Sequence, residues 1–280
     1  MAKALSLTRV QPTVSHTCNT LANPDLDEDA KRFQAWQVAA LSEHPVGTEL
    51  HSFGPFRAVV PAVNQPGGWV TIVDGTTTED ETREAVANLR SVFMERNTPL
   101  EIEYNEALFP QVGSFLEAAG FTIAERNPLM ACRPDRFEPF AAADVMLRRL
   151  SAASLSEDLR AFQTIRWTDG GDQDRVVPSV EHLRKDLASA TSLYLLAWLD
   201  REPAGTGVSH ALRGIAEIVG VVTWADKRRR GVAATVTSEL VTRHFSSGGD
   251  FVFLDAADDA AARVYERLGF RRFGANLVYR

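Results

Sequence analysis

Val219-Gly220-Val221-Val222-Thr223-Trp224-Ala225-Asp226-Lys227-Arg228-Arg229-Arg230-Gly231-Val232-Ala233-Ala234 reads, in that order, as a buried strand, a basic turn and the start of a long helix. Gly231 and Ala233 keep bulk away from the helix start, so backbone N–H groups there are able to approach an anion closely. The helix dipole adds its positive end, and Lys227, Arg228, Arg229 and Arg230 add formal charge. The whole is a pyrophosphate cradle whose spacing is neither that of a Walker loop nor that of a dinucleotide G-x-G-x-x-G.

The periodicity around this turn predicts a mixed α/β unit. Strands are expected at Val145–Leu150, Leu193–Leu199, Ala204–Arg213, Ile215–Trp224 and Phe251–Asp255, with a closing pair of strands over Phe270–Arg280. Helices are expected at Ser154–Ile165, Ser179–Ala188, about Arg230 to Phe245, and Asp258–Leu268. Upstream, residues 1–25 read as an irregular polar arm. Helices follow at Asp27–Leu41, Thr78–Arg96 and Val112–Ala119, and a small antiparallel meander at Glu49–Phe53, Phe56–Val63 and Trp69–Asp74. Leu100–Tyr104 is a further strand and Phe121–Cys132 an extended stretch. Arg133–Asp144 lacks periodicity and reads as a linker between domains at 1–135 and 144–280.

The two halves end alike. Leu116-Glu117-Ala118-Ala119-Gly120-Phe121 has its counterpart in Tyr265-Glu266-Arg267-Leu268-Gly269-Phe270, each inside a run of strand, helix, Gly-Phe, strand, turn and strand. One repeat of this length suggests a duplicated domain rather than a solenoid, whose period would be shorter.

Arg228-Arg229-Arg230-Gly231-Val232-Ala233 resembles the coenzyme A motif Gln/Arg-x-x-Gly-x-Gly/Ala of the GNAT superfamily of N-acyltransferases, between the fourth strand and third helix of that fold. A second segment, Asp258 to Phe270, resembles the family's Asn-x-x-Ala-x-x-x-Tyr-x-x-x-Gly-Phe, with Asp258 where Asn is usual. The resemblance covers the second half and implies an α/β fold with a mostly antiparallel sheet flanked by helices, here in tandem. It implies acetyl-CoA as co-substrate, direct transfer without a metal, and an amine acceptor that is a small molecule or a peptide. Coenzyme contacts are then expected from Val221, Val222, Thr223, Arg228, Arg229, Arg230, Gly231, Val232, Ala233, Ala234, Asp258 and Ala261.

Transfer to an amine requires a neutral nucleophile, a polarised thioester carbonyl and a leaving thiolate. The resemblance assigns carbonyl polarisation to the backbone around Val221–Thr223 and thiolate protonation to Tyr265. Glu217 is the base expected from the residues themselves: it shares a strand face with Ile215 and Val219, an odd place for a carboxylate unless it points into a cleft. His210 on the preceding strand is a second candidate for proton relay. The loop Trp167–Asp174, with three aspartates beside an aromatic, is a candidate for recognising a cationic amine.

The first half fails the same test. Its turn after the third strand, Gly75-Thr76-Thr77-Thr78-Glu79-Asp80-Glu81, is acidic and repels a pyrophosphate, and Leu116 stands where the second half has Tyr265. A degenerate copy without a coenzyme site is expected there. Composition agrees with a globular protein of 280 residues, 45% hydrophobic and 24% charged, with a net charge of -7 that disfavours a nucleic-acid partner. Cys18 and Cys132 are too few for a metal cluster or disulfide framework. No run is long enough for a signal h-region or a membrane span, so a cytoplasmic monomer or homodimer is expected. The alternative to an enzyme is a non-catalytic acyl-CoA-binding or regulatory module on the same fold.

Overall fold

The computed structural model describes residues 24–43, 48–64, 68–168, 177–188 and 191–280. The first half contains α1 (Pro24–Leu41), β1 (Thr48–Phe53), β2 (Phe56–Pro61), β3 (Trp69–Ile72), α2 (Glu79–Glu95), β4 (Ile102–Asn105), α3 (Val112–Ala118) and β5 (Ile123–Cys132). The second half contains β6 (Val145–Arg149), α4 (Ser156–Thr168), α5 (Val180–Asp186), β7 (Ser192–Leu199), β8 (Glu202–Leu212), β9 (Ile215–Thr223), α6 (Val232–Ser246), β10 (Phe251–Asp255), α7 (Asp259–Glu266) and β11 (Arg271–Tyr279). The course β1 to β5 with α2 and α3 repeats as β7 to β11 with α6 and α7.

The Gly-Phe landmarks of the repeat have one physical cause. After α3, Gly120 takes φ +86°, and Phe121 N–H bonds back to the Leu116 carbonyl at 3.0 Å. After α7, Gly269 takes φ +91°, and Phe270 N–H bonds to the Tyr265 carbonyl at 3.1 Å. Both are left-handed helix stops, which glycine adopts without strain, and both turn an apolar Phe into the core.

Among the described residues the strands form one eleven-stranded sheet in the order β1-β2-β3-β4-β11-β5-β10-β9-β8-β7-β6. The two halves exchange their last strands. β11 of the second half lies antiparallel between β4 and β5, and β5 of the first half lies antiparallel between β11 and β10. The expected closing pair over Phe270–Arg280 is therefore corrected to one long strand. Asn127 and Pro128 of β5 stand opposite Asn276 and Ala275 of β11, and Gly274 stands opposite Leu129 beside a register shift between Arg272 and Gly274. A strand that enters a slot between two others gains ladder bonds on both edges, which outweighs a local turn preference.

Alternation along the central strands divides the core. Val252 and Leu254 of β10 and Ala216 and Ile218 of β9 pack with Val236 and Leu240 of α6 and Ala262 and Tyr265 of α7. Phe251, Phe253 and Ile215 point to the other face, where Ala30 and Phe33 of α1 cover them, and Val219 meets the α4 cluster. In the first half, α2 and α3 cover Ile72, Ile102, Tyr104 and, from the exchanged strand, Leu277 and Tyr279. The connector 133–144 is pinned along α6, its Phe140 and Ala142 N–H groups donating to Ser238 Oγ at 2.8 Å and Thr235 Oγ1 at 3.0 Å. No described helix is long and apolar enough to cross a membrane.

Candidate active site

The β8–β9 pairing slips between Thr206 and Val208, so that Gly220 and Val221 stand against Gly207 alone. This bulge puts Glu217 and Val219 on the α1/α4 face and then turns Val221 towards α6. β9 runs parallel to β10 only from Ile215↔Phe251 to Glu217↔Phe253, and the rest of β9, Ile218 to Thr223, has no partner on that edge. The two strands thus part immediately beyond Glu217, leaving a slot between the faces of the sheet edged by the backbone of Val221, Val222 and Thr223.

The helix beyond this slot starts openly. Gly231 is the N-cap residue of α6 at φ +80°, and no side chain caps the first turn. The leading N–H groups of a helix lack intrahelical acceptors, so those of Val232, Ala233 and Ala234 form the positive end of a 15-residue helix. A side chain at position 231 would press on Phe140 and Ala142 as well as strain the backbone. α2 starts differently. Thr78 accepts from Glu81 N–H at 3.3 Å, and the Glu81 carboxylate accepts from Thr78 N–H at 2.8 Å, so a capping box takes up the donors.

The four basic residues of the turn divide into two roles. Lys227 bonds Glu202 at 2.7 Å, and Arg230 bridges Asp200 and Asp144, both at 2.7 Å. These pairs fix the turn against β8 and the connector. Arg228 donates to the Thr223 carbonyl at 3.2 Å, tying the turn to the end of β9, and Arg229 sits at φ +62°. Asp258, where the sequence left the coenzyme contact of an Asn in question, is the N-cap of α7, its carboxylate accepting from Ala261 N–H at 2.7 Å.

Tyr265 and Glu217 lie on opposite faces. Tyr265 is buried in the α6/α7 core, and burial, then Asp258, pushes its phenol up to about 12. Glu217 lines a cavity of about 250 Å³ on the α1 face, together with Glu103, Asp255, Asn276, Trp36 and Trp69 among others. Burial raises Glu217 to about 8, with Asp255 and Glu103 adding to the rise and Arg166 opposing it. His210 is the cross-strand neighbour of Glu217, its Nδ1 bonded to Ser192 Oγ at 2.8 Å. Burial, then Arg166, lowers His210 to about 4, which leaves it neutral and weakly basic near pH 7.

Glu103, Asp255, Asn276, Trp36, Trp69 and Arg166 were not anticipated from the sequence. Asp255 lines the cavity with its side chain open to it; loss of solvation raises its carboxyl, the Asn276 amide opposes this from 2.8 Å, and Glu103 adds to the rise. Glu103 is also raised, mainly by burial. These groups come from α1, β3, β4, α4, β10 and β11, and the exchanged strands bring Glu103, Asn276 and Asp255 together. The loop Trp167–Asp174 lies largely outside the described residues, which stop at 168 and resume at 177. Among the described residues no cluster of His, Cys, Asp and Glu is arranged to hold a metal ion.

A tandem α/β unit with one open helix start beside parted parallel strands is the architecture of the GNAT N-acyltransferases. The acetyltransferase (GNAT) family model matches residues 153–270, and this part of the chain belongs to that family. The fold is similar to a GCN5-related N-acetyltransferase from Kribbella flavida, with a TM-score of 0.72 and 22% identity over 89% of this chain and 94% of that one. It is also similar to a GCN5-related N-acetyltransferase from Sphaerobacter thermophilus, with a TM-score of 0.64 and 14% identity over 91% and 90%. A tandem GNAT protein from the clavulanic acid biosynthesis pathway gives a TM-score of 0.59 and 16% identity over 90% and 94%. At such identities the likeness is one of fold. No curated protein sequence matches the chain.

Proposed function

We infer that the protein is a cytoplasmic, acetyl-CoA-dependent N-acetyltransferase with a single coenzyme site in residues 144–280, and that residues 1–135 are a GNAT-like unit without one. The observation that carries this reading is the slot beyond Glu217↔Phe253, flanked by the uncapped start of α6 and Tyr265 on one face and by Glu217 on the other. The fit to coenzyme A rests on that uncapped start, and on Thr223 Oγ1, a buried hydroxyl without a partner at the end of β9.

Acetyl-CoA supplies the activated thioester carbonyl when bound. The α6 N–H groups from Val232 to Ala234 hold its pyrophosphate with help from Arg228 and Arg229. Glu217, in its ionised form, takes a proton from the ammonium of the acceptor. Outward N–H groups of the Val221–Thr223 backbone polarise the carbonyl. As the C–N bond forms and the C–S bond breaks, Tyr265 would give its proton to the sulfur; the second proton shed by the nitrogen would restore the phenol through water, and Glu217 would return its own to solvent, so that one proton is released per transfer. Asp258 acts on Tyr265 indirectly, by fixing the start of α7.

Calorimetric titration with coenzyme A, followed by thiol release from acetyl-CoA over a panel of amines, tests the reading. Binding together with release is the expected result, and Arg228→Glu should abolish binding. Binding without release from any amine would favour a non-catalytic acyl-CoA-binding module, and no binding would overturn the reading altogether.

A further inference from the structure

The cavity beside Glu217 gathers more carboxyl groups than deprotonation of one amine requires. Glu103 from β4, Asp255 from β10 and Glu217 from β9 all line it; Asp255 and Glu103 both raise the proton affinity of Glu217, and Glu103 raises that of Asp255. Carboxylates gathered in a concave site repel one another unless a cation is present. Asn276, 7% exposed, lines the same wall. Its amide nitrogen is spent on Asp255 at 2.8 Å, and its Oδ1 has no donor. That unpartnered acceptor joins the carboxylates in calling for a donor that the described residues do not supply. Phe33, Trp36, Trp69 and Phe253 make most of the remaining wall, with Gln37 and Ala40 beside them and the Trp36 and Phe253 rings in a T-shaped pair at 4.9 Å. Indole faces suit an organic cation more than a hydrated inorganic one.

We propose that the acceptor carries a second cationic nitrogen, and that Asp255, Glu103 and Asn276 hold this nitrogen against Trp36 and Trp69 while Glu217 receives the reacting amine. The substrate class is then a diamine or polyamine, or a larger molecule presenting two ammonium groups. Three of the five holding groups come from α1, β3 and β4 of the first half, which gives that half of the chain a task in substrate selection. Asn276 works from both sides of the charge balance: it steadies Asp255 in the empty cavity and offers Oδ1 to the ammonium when filled. The proposal deepens the acyltransferase reading and rests on it for the role of Glu217, but not for the preference itself.

Binding therefore provides the test. Straight-chain α,ω-diamines of three to six carbons are titrated calorimetrically into the full chain beside the monoamines of equal length. The best diamine should bind about tenfold or more tightly than its monoamine, the worth of one desolvated charge contact. Asp255→Asn and Glu103→Gln should each shrink that ratio towards one, with retained thermal unfolding showing that the variants are folded. Equal affinity for diamine and monoamine, or no binding of either, would overturn the proposal. Thiol release from acetyl-CoA in the same samples reports on transfer alone, so a diamine that binds selectively without release contradicts the acyltransferase reading while leaving the cation site standing.

Discussion

Glu217 on β9 and His210 on β8 face each other across one rung of the ladder, and the same burial moves them in opposite directions. Glu217 rises to about 8 and His210 falls to about 4. Desolvation disfavours whichever form is charged, so near pH 7 both side chains are mostly neutral. The acid has the higher proton affinity of the two, so the proposed base, Glu217, ionises only at alkaline pH, and His210 is a hydrogen-bonding neighbour of Ser192.

Turnover should therefore rise with pH through an apparent value near 8, where Glu217 ionises. Glu217→Gln should lower kcat by about 10² to 10⁴ and remove that limb of the profile. His210→Gln should keep the limb. Steady-state rates from pH 6 to 10 decide, and a Glu217→Gln enzyme with an unchanged profile would move the base elsewhere.

The same pair predicts how stability follows pH. The folded state keeps a proton on Glu217 between its ordinary 4.5 and about 8, so the stabilisation is full below 4.5 and lost as pH rises through 8. His210 has the opposite sign: its lowered value costs stability as pH falls from 6.5 towards 4. Melting temperatures from pH 4 to 9 should show Glu217→Gln flattening the alkaline decline and His210→Gln flattening the acid one.

Tyr265 is raised to about 12 and stays protonated throughout the working range, as a proton donor to a thiolate must. Tyr265→Phe should reduce kcat by about 10²-fold and leave the calorimetric affinity for coenzyme A within about threefold. A parallel loss of affinity would assign the phenol to binding.

The two helix starts should respond differently to substitution. Thr78→Ala removes the capping box of α2 and should cost about 1 kcal/mol of stability without changing coenzyme affinity. Gly231→Ala forces an L side chain into φ +80° against Phe140, and should weaken both stability and coenzyme binding. Denaturant melts and calorimetry on the two variants separate these effects.

A chain ending at residue 270 should lose more than its own last strand. Without β11, the facing edges of β4 and β5 are unpaired. The expected outcome is aggregation or loss of a cooperative melt in the first half as well as the second, read by thermal unfolding and hydrogen exchange.

The phosphate turn was legible because everything that makes it is local: an apolar strand, small residues at the helix start and basic neighbours within sixteen residues. Glu217 was legible from alternation alone. The division of the basic residues was not, since the partners of Arg230, Asp144 and Asp200, are distant in sequence. The cavity was hidden for a stronger reason. Glu103 and Asp255 are ordinary strand residues until β11 and β5 cross over, and nothing local in Phe270–Arg280 distinguishes a hairpin from a strand that leaves for the other half. The open ladder edges of β4 and β10, which lie in neither segment's own sequence, decide for the crossing.

The crossover also orders events in time. Thr122 and Arg280 exchange backbone hydrogen bonds at 2.9 and 3.0 Å, so the first half cannot close its sheet until β11 has been made. Through most of synthesis β4 and β5 wait with exposed edges, and the slow step is the meeting of segments more than a hundred residues apart. The cavity lined by Glu103, Asp255 and Asn276 therefore forms only when β11 reaches its slot.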